Sequence, residues 1–132
     1  MSLSSAVKEF RARWLPNATS NGLTRMVSLL EQGSPLLIHG AFSRCASQGC
    51  LATHLAWHHP QTQALHAEAG VVWLTKIARM NPATSALLLE WDRSGVHNWE
   101  LREDLLSECR QELERRAEGT DARHRREECC TV

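Results

Sequence analysis

The residues best suited to do chemistry stand close together. CASQGCLATHLAWHH, positions 45–59, holds two cysteines and three histidines. Thiolates and neutral imidazoles are the ligands zinc prefers, four at a time in a tetrahedron. On a helix, positions i and i+4 share a face, so Cys50 can pair with His54, or His54 with His58. Placing all three on one ion strains a straight helix. Eight residues separate Cys50 from His58, roughly 12 Å at a rise of ~1.5 Å per residue. The pair Cys50 and His54 is the better one, because Gly49 lets the preceding ASQ turn and bring Cys45 alongside. The metal set expected on this basis is Cys45, Cys50 and His54 with His58 as fourth ligand, and His39 or His66 as alternatives for that place.

The same residues also describe an ordinary core helix. Cysteine behaves as a small hydrophobe and is among the most buried residue types. Leu51, Leu55 and Trp57 share the segment, and a buried histidine is readily satisfied by a backbone carbonyl. The spacing C-x4-C-x3-H matches no strong zinc signature, and no second Cys/His cluster completes one. Packing is therefore the expected role, with zinc binding or sensing the alternative.

Catalysis is the weakest reading. Cys45 or Cys50 beside a histidine could form a thiolate nucleophile. However, G-x-S-x-G, HExxH, Walker A and GxGxxG sequences are all absent. No catalytic residue and no other cofactor is expected.

Helices must carry these residues, since apolar positions recur at helical spacing almost throughout. Leu3, Val7, Phe10 and Trp14 form one stripe, stopped by Pro16. Leu23, Met26, Val27 and Leu30 form a second, closed by Gly33. Ser34-Pro35 reads as a helix restart, with serine as N-cap and proline at the first helical position. The Cys/His helix is expected from about Ser47 to His58 or His59, before Pro60. Leu65, Ala69, Val72, Trp73, Ile77 and Met80 then predict a long amphipathic helix. Asn81-Pro82 reads as the start of a shorter helix carrying Leu87, Leu88 and Trp91. The last helix is expected from about Asn98 to Glu118, with Leu101, Leu105, Cys109 and Leu113 facing inward. Its Glu108, Glu112, Arg115 and Arg116 read as a solvated charged face. Strand signals are lacking.

The expected fold is all-α: a single compact domain over 1–118, an orthogonal bundle of about six helices, then a flexible tail at 119–132. HPQTQALHAEAG and NPATSALLLEWD share P-x-T-x-A-L-x-x-E, which reads as common helix-start grammar in preference to a repeat array.

Composition narrows the function. The 132 residues are 42 % hydrophobic and 23 % charged with no net charge, a balance that disfavours nucleic acid as the main partner. No apolar run approaches a membrane span, and the first residues do not resemble a signal peptide. A cytoplasmic location and reduced thiols are expected, given five cysteines, an odd number. Cys129 and Cys130 are adjacent and are expected to stay free. Three of the five tryptophans lie on core stripes, whereas Trp57 and Trp99 fit theirs poorly. Trp99 is the candidate surface anchor. The function expected from the whole is a helical interaction or regulatory module that binds another protein or itself, the charged last helix being one surface for a homodimer.

Overall fold

The computed structural model describes residues 5–43 and 48–130, with side chains described for 5–43, 48–95 and 97–119. Helix follows helix, as the periodicity demands. α1 (Ser5–Glu9) continues through a π-helical turn (Phe10–Trp14) into a 3-10 turn (Leu15–Asn17), where Pro16 ends it. Val7, Phe10 and Trp14 of the first stripe are buried. α2 (Ser20–Gln32) starts at the N-cap Thr19, whose Oγ1 accepts from the Gly22 amide, 3.0 Å. It stops at Gly33, which takes the left-handed conformation (φ 57°) that a side chain resists.

The helix expected after Ser34-Pro35 does not form. Ser34 makes only a turn, its Oγ accepting from the Leu36 amide. The described residues between Ser34 and Cys50 are irregular, fastened where Ile38 N donates to Gly49 O and Gly49 N donates to Leu36 O. Isolated bridges of Gly49 with Leu37 and Ser43 are the only ladder-like pairing, and no strand forms among the described residues.

α3 (Leu51–Ala56) is shorter than expected and buried at every position. Cys50 is its N-cap residue, not an interior one. The long helix predicted from Leu65 begins only at α4 (Ala69–Val72), which passes into a π-helical turn (Trp73–Ile77). Residues 57–68 are turns, closed by Thr62 Oγ1 donating to Ala56 O and Trp57 Nε1 donating to His66 O. Pro60 therefore opens a turn, and the shared P-x-T-x-A-L grammar does not mark a helix start there.

α5 (Ala86–Ser94) also starts later than Asn81-Pro82 suggested. Asn81 Oδ1 caps a turn through the Ala83 amide, and Ser85 is the N-cap. α6 (Trp99–Cys130) opens at Asn98, whose Oδ1 accepts from Leu101 N. It runs past Glu118, so the backbone at 119–130 is helical. The flexible tail expected over 119–132 otherwise falls on side chains, and on residues 131 and 132, that lie outside the described ones.

Among the described residues the fold is all-α, six helices around one core. α2 packs along α6, α3 against α4 and α1 against α5. Phe10, Trp14, Trp73 and Trp91 sit in the core centre, and Trp91 Nε1 donates to Ile38 O at 2.8 Å, pinning the irregular segment to α5. Buried apolar area of this kind, at about 25 cal/mol per Å², is the main source of stability.

Long-range polar ties fix the helix ends. The Glu9 carboxylate accepts from Ser85 Oγ (2.5 Å), Ala86 N (2.8 Å), Leu87 N (3.2 Å) and Trp14 Nε1 (3.1 Å). Arg116 donates to Leu15 O and Ala18 O, both 2.9 Å, and so closes the end of the first helix. The charged face of α6 is thus less solvated than its sequence implied. Glu108 is buried beneath Arg11, which holds it bidentately, and Glu112 carries both Arg115 and Arg116. The hydrogen bond from Arg115 chiefly holds the Glu112 carboxyl below its ordinary pKa.

Candidate functional site

Two places deserve the name of candidate: the Cys/His segment, and the corner where α6 begins.

The structure divides the Cys/His segment between core and surface. Cys50 is fully buried, with Sγ 3.6 Å from Thr53 Oγ1. Removal from water pushes its thiol pKa up, which disfavours the thiolate that both metal binding and nucleophilic attack require. His54 is buried as well. Its Nε2 lies 2.8 Å from Leu36 O, so in the neutral ring that nitrogen carries the proton and donates it. Trp57 meets the ring edge-on at 5.3 Å. The imidazole thus spends one nitrogen on tying α3 to the irregular segment.

The remaining candidates lie elsewhere. His58 and His66 are exposed, and His39 bonds Asp92 O through Nδ1 at 3.0 Å. Cys45 lies outside the described residues. Among the described residues no group of three His, Cys, Asp or Glu side chains is placed to share a metal ion. With the Cys50 thiol sealed from water and His54 Nε2 committed to Leu36 O, the chain as purified is expected to hold far less than one zinc per copy. Metal content by plasma mass spectrometry checks this, and near-stoichiometric zinc lost in both Cys50→Ser and His54→Ala would reverse the assignment.

His54 does carry a pH dependence. Burial is the chief cause that lowers its pKa from the ordinary 6.5, helped by the nearby Arg25 and His58 charges. The unfolded chain then binds a proton that the folded one refuses, so stability falls as pH drops below about 6.5. The slope approaches at most about 1.4 kcal/mol per pH unit for one proton. Urea midpoints between pH 8 and 5 should show this steeper loss in the wild type than in His54→Gln, and parallel curves would refute it.

The other cysteine with a described side chain, Cys109, is equally sequestered, its thiol pushed up to about 12 by burial on the inner face of α6. A cleft of about 410 Å³ lies between the end of the first helix and α6 over Leu15 and Pro16. Its carboxylates, Glu108 and Glu112, are already neutralised by Arg11, Arg115 and Arg116, so it offers a ligand no uncommitted charge.

The corner at α6 is built differently. Trp99 is the first residue of the helix and 62 % exposed. Its ring lies 4.9 Å from the Arg102 guanidinium. That guanidinium is itself held rigidly, Nε donating to Leu30 O (2.5 Å) and Nη2 to Glu31 O (2.8 Å). It adds a donor to the last carbonyls of α2, and the cation favours that end of the helix dipole. The indole therefore stands on a fixed platform. Glu100, Glu103 and Asp104 are exposed in the next turn and a half. The sequence signalled Trp99 through its poor fit to the core stripe, but gave no hint of the Arg102 platform, which depends on α2 lying alongside.

No helix among the described residues is long and apolar enough to cross a membrane. Comparison of the chain with protein-family models, with curated proteins and with solved structures returned no match.

Proposed function

We propose that this domain is a protein–protein interaction module that associates with itself through the corner around Trp99. The observation that carries the reading is the pairing of a 62 % exposed tryptophan with an arginine fixed beneath it. Large exposed aromatics are costly to leave in water, and tryptophan and arginine are the side chains most enriched at energetic centres of interfaces. Because Arg102 is held by two backbone carbonyls, little side-chain freedom is left to lose when a partner covers the ring. The other tryptophans are half-buried or buried, so the exposed one does not belong to a packing need.

The test is sedimentation velocity from low micromolar to near-millimolar protein. The wild type should shift toward a dimer with concentration. Trp99→Ala should stay monomeric with an unchanged circular-dichroism spectrum, since it removes little buried area. A wild type that is monomeric throughout, or a Trp99→Ala variant that dimerises as well as the parent, would overturn the proposal.

A further inference from the structure

The cleft over Leu15 and Pro16 offers no uncommitted charge, and that decides what fits it. Its guanidinium edges are taken by carboxylates. Arg11 Nε donates to both Glu108 oxygens at 3.1 Å, and Arg115 donates to Glu112 through Nε at 2.8 Å and Nη2 at 2.6 Å. What each arginine still presents is its flat face, because the two side chains remain 53 % and 71 % exposed. The same cleft is lined by Leu15 and the exposed ring of Pro16. Guanidinium faces and apolar rings stack on aromatic side chains without needing a hydrogen-bonding edge. At about 410 Å³ the cleft has room for an indole.

The chain displays such a group at its other corner. Of the two large apolar side chains exposed among the described residues, Leu89 and Trp99, only Trp99 is aromatic. Arg102 lies 4.9 Å from its ring centre on one face, which leaves the opposite face for a second cation. Glu100, Glu103 and Asp104 follow within a turn and a half, exposed, and none is in an ion pair among the described residues. In the cleft three arginines, Arg11, Arg115 and Arg116, stand over two glutamates. Ring stacking and charge sign therefore agree on one occupant.

A chain cannot seat its own Trp99. By helical period Glu108, Gln111, Glu112 and Arg115 lie on the far side of α6 from Trp99, and roughly 14–24 Å further along its axis. We infer that the chain associates head to tail, the Trp99 indole of one copy seated over Leu15 and Pro16 of the next, against Arg11 and Arg115. This rests on the self-association reading above and names its second surface. The two surfaces differ and face apart, so the contact is heterologous. The first dimer keeps one free Trp99 and one free cleft, and growth continues past it as concentration rises.

Two variants of the full chain, alone and mixed, test the pairing by sedimentation equilibrium. Trp99→Ala removes the ring and keeps the cleft. Gln111→Glu with Arg115→Glu keeps the ring and spoils the cleft, removing one guanidinium face and setting acids against Glu100, Glu103 and Asp104. All three replaced side chains are exposed, so both variants should keep the wild-type circular-dichroism spectrum. Each alone should associate about tenfold more weakly than the wild type, or worse. An equimolar mixture should form a one-to-one heterodimer of wild-type affinity that grows no further, since one intact ring meets one intact cleft. A cleft variant that associates as well as the parent, or a mixture no tighter than its components, overturns the head-to-tail pairing and leaves self-association through Trp99 standing. A wild type that stays monomeric overturns both.

Discussion

Gly70→Ala is expected to destabilise the fold by about 2–4 kcal/mol, despite alanine's better helix propensity. Gly70 is buried in the first turn of α4, where that helix crosses α3. A methyl group there would collide with Thr53 Oγ1 and lie 2.9 Å from Phe42 Cδ1 and 3.0 Å from Thr53 Cα. One of those atoms is backbone, in a helix buried at every position, so it cannot step aside. Thr53 Oγ1 also donates to Phe42 O at 2.7 Å, and displacing it would leave that bond unmade. The propensity gain, about 1 kcal/mol, is too small to offset overpacking and a lost hydrogen bond together. Urea unfolding of the variant measures the loss. Adding Thr53→Ala should recover part of it, as expected for two residues in contact. A change within about 0.5 kcal/mol would show that the α3–α4 crossing is looser than described.

Glu9→Ala should cost more, about 3–5 kcal/mol, by a different route. The carboxylate is the shared acceptor for four donors on two elements, and Ser85 and Trp14 among them are fully buried. Alanine leaves the Ser85 hydroxyl, two amides at the start of α5 and the Trp14 indole to find other acceptors in a nearly dry site. Carboxylates at helix starts also gain from the dipole. Glu9→Gln keeps the size and one acceptor oxygen, so its loss should be near half. Thermal unfolding of the two variants beside the wild type separates the cases. Equal, small losses in both would mean that water replaces the carboxylate there.

These two residues mark where the sequence stops being legible. Apolar stripes in α1, α2, α5 and α6 could be read directly, because burial on one face imposes a local period. Gly33 announced the end of α2 for an equally local reason, a left-handed residue after the last turn. The misreadings share a cause that is not local. Leu65 continues the α4 stripe by period alone, yet residues 57–68 are held as turns by acceptors such as Ala56 O and His66 O. Asn81-Pro82 has the grammar of a helix start, but α5 begins at Ser85, where Glu9 arrives from 76 residues away. Nothing near position 85 records that.

The Cys/His segment shows the same limit. Its residue types suit either a metal or a core. Which of the two applies depends on Leu36 O reaching His54, and on Cys50 being sealed from water. In contrast, Trp99 was visible through its misfit to its own helix's stripe, a signal it shares with Trp57, which nonetheless packs against the core.

The most direct test of the account is a dilution series of two-dimensional proton–nitrogen correlation spectra, read at the five indole signals. Association through the α6 corner predicts that the Trp99 indole and the amides of residues 99–104 move with concentration. The indoles of Trp14, Trp73 and Trp91, sealed in the core, should not. Concentration-dependent shifts centred on Cys50 and His54, or none anywhere, would contradict it.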